Sequence, residues 1–247
     1  MSQLPDPTRP LDEGAAAEVF AAIFDGKVAD EALGLFLTTL ADRGETVGEV
    51  VAAARALRAR AIQPFLAAGA LDVCGTGGDG MHSLNISTAV SLVVAACGVK
   101  LAKHGNRAAS STSCAADVLM VLGVPELPMD RLGPCLTQVG ITFLHAARHH
   151  PAMARVAPVR KALGRRTIFN LLGPMSNPAL VKRQLVGVFD RRWLKPVAQA
   201  LGAFAIKANQ FDSEPDQAGH EHDELKSGQE ELFVPLRGTG FLQIDGE

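Results

Sequence analysis

Apolar residues recur at helical spacing through the first sixty positions, then give way to short runs separated by glycine. Val19, Phe20, Ile23 and Phe24 form one stripe between residues 15 and 24, and Asp25-Gly26 ends it. Asp30 is placed to cap a second helix, in which Leu33, Phe36, Leu37 and Leu40 keep the i, i+3, i+4, i+7 spacing until Gly44. Thr46 and Glu49 make a capping-box pair for a third helix, carrying Val50, Val51, Ala54 and Leu57. Residues 11–62 thus read as a small all-helical unit without a candidate catalytic group, suited to packing or oligomerisation. Residues 64–69 read as a hinge.

From Leu71 the pattern changes to alternation of strand and helix. Strands are expected near 71–74, 98–102, 140–144 and 184–189, and helices near 87–97, 113–122, 130–138, 151–163 and 192–201. Such alternation specifies an α/β fold, a mostly parallel sheet with helices on its faces. Ligands of these sheets sit at the carboxyl ends of the strands. The loops after the first two strands would then share one rim.

Composition adds limits. The chain has 247 residues, 47% apolar and 20% charged, with a net charge of -2, so nothing argues for nucleic acid or a membrane surface. No apolar run reaches the ~18 residues of a membrane span, and the first ten residues lack an apolar signal core. A cytoplasmic protein is expected. Cys74, Cys97, Cys114 and Cys135 lie in apolar segments without paired spacings and read as buried free thiols.

The candidate chemistry lies on the expected rim. Gly75, Gly77, Gly78 and Gly80 permit a tight turn and close backbone approach, and Ser87 opens a helix whose positive end suits phosphate. The spacing is neither the P-loop nor the dinucleotide fingerprint. Asp79 inside the turn suggests a sugar hydroxyl or a metal-bound water as its partner. The second loop brings Lys103, His104, Asn106, Arg107, Ser110 and Ser111, a donor set fit for a polyanionic, sugar-containing substrate. A third patch runs through His149-His150-Pro151, Arg160 and Gly173-Pro174. The histidine pair reads as surface. Arg160, on an otherwise apolar helix, calls for an anionic partner such as a carboxylate.

The runs GTGGDG, NIST, KHGNRAASS, AADVL and HPAM…APVRKALGRRTIFNLLGPMSNP, in that order, resemble the anthranilate phosphoribosyltransferase family over residues 11–202. The resemblance implies a helical domain at 1–66 serving dimerisation and an α/β phosphoribosyl-binding domain at 67–202 of the nucleoside phosphorylase/phosphoribosyltransferase type. It implies transfer of the phosphoribosyl group from phosphoribosyl pyrophosphate (PRPP) to anthranilate, with Mg²⁺, in a homodimer. PRPP would be held by Gly75, Gly78, Asp79, Ser83, Asn85, Ile86, Ser87 and Thr88, and by Lys103, His104, Gly105, Asn106, Arg107, Ala108, Ala109, Ser110 and Ser111. Ser83 stands where the family usually has threonine. Gly75, Asn106 and Arg160 would hold anthranilate, and Ser87 would help ligate Mg²⁺.

Residues 203–247 depart from the pattern. The family continues with a buried strand, an acidic metal motif and about a hundred further residues, whereas this segment is acidic. Asp223 and Glu224 are the candidates for the acidic metal pair. His220, His222 and Glu231 weakly resemble part of a cupin metal motif. An acidic tail with a hairpin near 231–245 is the simpler expectation. Because the family's C-terminal part is missing, the alternative function is a catalytically silent member that binds a phosphorylated ligand or nucleic acid.

Overall fold

The computed structural model describes residues 4–66, 69–76, 85–105, 115–206, 209–210 and 240–244. Helix α1 (Glu13–Phe24) starts at Asp12, whose carboxylate accepts from the Ala15 N–H at 2.8 Å. Its stripe of Ala16, Val19, Phe20, Ile23 and Phe24 is buried as the spacing predicts. Helix α2 (Asp30–Arg43) differs from expectation at its start. Ala29 is the N-cap and Asp30 is the first helical residue, where its charge faces the helix dipole instead of capping a backbone N–H. Gly44 closes α2 with φ 92°. Helix α3 (Val47–Arg58) carries the capping box: Thr46 Oγ1 accepts from the Glu49 N–H at 3.2 Å, and Glu49 Oε2 accepts from the Thr46 N–H at 2.7 Å.

The α/β part contains β1 (Leu71–Gly75), α4 (Ile86–Ala96), β2 (Leu101–Gly105), α5 (Ala115–Val121), α6 (Met129–Val139) and β3 (Ile141–His145). It continues with α7 (Ala146–His149), α8 (Met153–Leu163), β4 (Arg183–Val188), α9 (Leu194–Gly202), β5 (Asn209–Gln210) and β6 (Gly240–Ile244). The strands form one sheet in the order β3-β2-β1-β4-β6-β5; the first four are mutually parallel, and β6 runs antiparallel to β4 and β5. Helix α4 covers one face through Val90, Leu92 and Val94 over Val73, Leu101 and Ile141. On the other face α6 packs Leu132 and Leu136 on Ala102 and Leu144, and α9 packs Leu194 and Val197 with Val186 and Val188.

Strand β2 begins at Leu101, not at residue 98. Gly98, at φ 88°, turns the chain out of α4, and the N–H groups of Cys97, Gly98 and Val99 bond back to Val93, Ala95 and Val94. Three residues are thus spent ending the helix. In consequence Lys103, His104 and Gly105 are the end of a strand, not the start of a loop. The same turn leaves Cys97 exposed, contrary to the expectation that the thiols are buried; Cys74 is buried, Cys135 is partly so, and all three are free. Cys114 lies outside the described residues.

A single core joins the N-terminal helices to the second half of the chain. Phe20, Phe24, Phe36 and Leu40 share it with Val156, Val159, Phe169, Met175, Leu194 and Leu201. The Arg58 guanidinium donates to the Met175 carbonyl at 3.0 Å. The 64–69 segment expected to be a hinge follows a fixed point: the Ile62 N–H donates to the His149 carbonyl at 2.8 Å, and the His149 ring nitrogen Nδ1 lies 2.7 Å from the Ile62 carbonyl. Of the hairpin expected near 231–245, residues 240–244 extend the main sheet, while 231–239 lie outside the described residues. No helix among the described residues is long and apolar enough to cross a membrane.

Candidate active site

The parallel register brings the carboxyl ends of β1 to β4 to one edge. Gly75 stands level with Gly187, and Gly105 with His145. The two glycine-ended strands are neighbours, as the shared-rim reading requires. Gly78, Asp79, Ser83, Asn106, Arg107, Ala108, Ala109, Ser110 and Ser111 lie outside the described residues. So do the tail candidates Asp223, Glu224, His220, His222 and Glu231.

Asn85 is the N-cap of α4 and makes no side-chain capping bond. Ile86 and Ser87 are half-buried in the first turn, and Thr88 is buried with no hydrogen-bond partner for Oγ1 among the described residues. The turn offers a positive helix end and two hydroxyls within four residues. Among the described residues no cluster of three His, Cys, Asp or Glu could hold a metal alone. A hydroxyl here fits Mg²⁺ only as one of few protein ligands, the rest being substrate phosphates and water.

The other wall comes from residues 171–176. A Cβ on Gly173 would lie 3.8 Å from the Gly75 carbonyl, so this segment runs beside the end of β1. A backbone group of Gly173 also lies against the His104 ring. His104 meets His150 edge to face, with ring centroids 5.1 Å apart and planes at 69°. Burial pushes the His104 imidazole down to about 3, helped by repulsion from His150, and pushes His150 down to about 4. A Ser176 backbone group approaches His150 without hydrogen-bond geometry. Both rings are neutral at neutral pH. His149 and His150 are therefore interior residues, not surface ones: the turn after β3 folds His149 against Ile62 and His150 against the 171–176 segment.

Arg160 sits in the last turn of α8, half-buried, with its guanidinium 5.9 Å from the centre of the Phe169 ring. No carboxylate among the described residues pairs with it. Burial lowers its basicity, yet a guanidinium remains charged. The helix is less apolar than the sequence pattern suggested, burying only Val156 and Val159.

Sequence reasoning missed the layer beneath the rim. Asp72 is fully buried in β1, and its carboxylate accepts from the His104 N–H at 3.1 Å and from Asn177 Nδ2 at 2.8 Å. Gln184 Nε2 donates to the Pro174 carbonyl at 2.7 Å beside it. Lys103, only 3% exposed, donates from Nζ to the Val73 carbonyl at 2.7 Å. Burial raises the Asp72 carboxyl and lowers the Lys103 ammonium, and their mutual attraction opposes both shifts. The available signal was one carboxylate inside an otherwise apolar strand run.

The described geometry agrees with the kinship of the chain. A glycosyl transferase family helical bundle domain matches residues 6–61, and a glycosyl transferase family a/b domain matches residues 67–214. Anthranilate phosphoribosyltransferase from Novosphingobium aromaticivorans is 54% identical over 240 residues, covering 93% of this chain and 72% of that protein. The enzyme of that name from Sphingopyxis alaskensis is 57% identical over 198 residues, covering 80% and 60%. The crystal structure of anthranilate phosphoribosyltransferase from Thermus thermophilus superposes with a TM-score of 0.76 at 45% identity, covering 81% of this chain and 63% of that one. The Saccharomyces cerevisiae enzyme in complex with PRPP and Mg superposes at 0.73 with 25% identity, covering 80% and 61%. The chain thus spans less than two thirds of three of these four relatives. By both family matches and by identity above one half, it belongs to the anthranilate phosphoribosyltransferase family of glycosyl transferases.

Proposed function

We propose that the chain transfers the phosphoribosyl group of PRPP to anthranilate at this rim. The observation that carries the reading is the convergence of Gly75, Gly105, the first turn of α4 and the 171–176 segment on one edge of the sheet. Backbone N–H groups and the hydroxyls of Ser87 and Thr88 suit the phosphates and ribose, together with Gly78, Asp79, Ser83 and the residues from Asn106 to Ser111. Arg160, half-buried and without a carboxylate partner among the described residues, suits the anthranilate carboxylate, with Gly75 and Asn106 near the amine.

In this reaction the anthranilate nitrogen forms a bond to C1 of the ribose as the C1–O bond to pyrophosphate breaks. The bonding pair leaves with pyrophosphate, and the nitrogen sheds one proton. Mg²⁺, when bound, would offset the charge of the leaving pyrophosphate, with Ser87 as a ligand and Asp223 or Glu224 as the acidic candidates. The chain's own residues position the two substrates, and no triad is required. Neutral His104 and His150 line the wall as uncharged rings and do not compete with Arg160 for the carboxylate. We place the protein in the cytoplasm as a homodimer associating through residues 1–66, with the phosphoribosyl-binding domain at 67–202.

Loss of anthranilate fluorescence on adding PRPP and Mg²⁺ to the 247-residue chain tests the reading. Turnover is expected, and Arg160→Ala should weaken anthranilate binding about tenfold or more while sparing PRPP. Equal loss of both substrates would remove Arg160 from its assigned place. PRPP binding without turnover would favour the silent family member instead.

A further inference from the structure

Phe169 lies between Arg160 and the helices of the N-terminal unit. It follows the turn that ends α8, where Gly164, at φ 59°, donates its N–H to the Arg160 carbonyl at 3.3 Å. Ile168–Asn170 then form a single 3-10 turn. It is tied off by the Thr167 N–H, which donates to Asn170 Oδ1 at 3.1 Å, and by the Asn170 N–H, which donates to the Thr167 carbonyl at 2.9 Å. That turn sets Phe169 back beneath α8 and leads straight into the 171–176 wall. The ring is 4% exposed and meets Phe24 of α1, with centroids 5.7 Å apart and planes at 52°. The Arg160 guanidinium stands over the same ring at 5.9 Å from its centre.

An aromatic neighbour does for Arg160 what a carboxylate neighbour would not. A guanidinium carries five N–H donors in one plane, and a carboxylate at its side occupies a pair of them. The face of a ring attracts the same cation from within about 6 Å and occupies none. Phe169 thus holds the group while its donors stay available to a ligand. Phe24 and the buried neighbours Ile168 and Leu171 keep the ring from turning away. We propose that Phe169 is a positioning residue for the acceptor: its ring holds the Arg160 guanidinium so that the N–H donors meet the anthranilate carboxylate. The inference rests on the reading of Arg160 as the partner of that carboxylate. It also gives the N-terminal helices a part in acceptor binding, because Phe24 backs the ring.

The test changes the charge distribution of the ring and nearly keeps its size. Pentafluorophenylalanine is placed at position 169 of the full chain by nonsense suppression, which removes the negative ring face that attracts a cation. The KM for anthranilate, read by loss of its fluorescence at saturating PRPP and Mg²⁺, should rise about threefold to tenfold, while the KM for PRPP should move less than about twofold. In an Arg160→Met background the fluorinated ring should leave the anthranilate KM where Arg160→Met alone puts it. Thermal unfolding of Arg160→Met, Phe169→Leu and the combined variant gives a readout independent of turnover. The two single losses should together exceed the loss in the combined variant.

An anthranilate KM unmoved by the fluorinated ring would overturn the positioning role. Equal rises in both KM values would also overturn it, because Phe169 would then act on the fold and not on Arg160. A further rise in the Arg160→Met background would place the effect of the ring on another group. If the parent chain consumes no anthranilate, the functional reading fails, and the unfolding comparison still decides whether the ring holds the guanidinium. Additive losses there would overturn the contact itself.

Discussion

Burial strips the His104 and His150 imidazoles of solvent and leaves His104 Nε2 and both nitrogens of His150 without hydrogen-bond partners among the described residues. In the unfolded chain both would titrate near 6.5, but in the fold they do so at about 3 and about 4. Below about pH 6.5 the unfolded chain therefore binds more protons, and stability falls as the solution is acidified. His150→Phe, which keeps the edge-to-face packing, should remove about one proton from this dependence, or about 1.4 kcal/mol per pH unit between about pH 6 and 4.5. Urea unfolding at several pH values measures it; an unchanged slope would show that His150 is solvated. Glu49 acts through the opposite shift with the same outcome. Burial raises its carboxyl, but Arg43, bonding both oxygens at 2.7 Å, and the Leu11 and Thr46 N–H groups outweigh this and lower it. Its contribution is complete above the ordinary carboxylate range and is lost as pH falls through the lowered value. Glu49→Ala should cost about 3 kcal/mol at neutral pH, because it strands a buried guanidinium, and less in acid.

At the scale of elements, most helices and strands were legible because each carries its own period and its own stop. Val19, Phe20, Ile23 and Phe24 needed only spacing, and Thr46 with Glu49 declared the start of α3. Thr46→Ala should accordingly cost about 1 kcal/mol in thermal unfolding. What was not legible depends on contacts across the chain. The start of β2 moved because Gly98 closes α4 in three residues; His149 is buried against Ile62, far earlier in the chain, and His150 against a segment more than twenty residues later. The bonded residues Asp72 and Asn177 are 105 positions apart, and no local pattern joins them. Gly133 is a further case. A Cβ there would lie 2.6 Å from the Phe65 carbonyl oxygen, although Phe65 itself is 96% exposed. Alanine is the better helix former by about 1 kcal/mol, but the clash is with backbone and should win, for a net loss of about 1–2 kcal/mol. Faster hydrogen exchange at the Ile62 amide would report the displaced linker, and a stabilised variant would refute the contact.

For the whole molecule, the sheet places β6 between β4 and β5, so that Gln184–Val188 are not an edge. Deleting residues 240–247 should bare that strand and promote association through it, visible as a rise in light scattering with protein concentration. A monodisperse deletion variant would mean that β6 contributes little to the sheet. The core has its own consequence. Phe20, Phe24, Phe36 and Leu40 are covered by Val156, Phe169, Met175 and Leu201, and Arg58 reaches Met175 across 117 positions. A ribosome making this chain exposes three amphipathic helices long before their cover exists. Until residue 201 has left the exit tunnel, those helices have only one another, and the emerging polypeptide carries a sticky apolar face that holdase chaperones would bind. The order of synthesis thus runs against the order of packing, and the last third of the chain decides when the first third can settle.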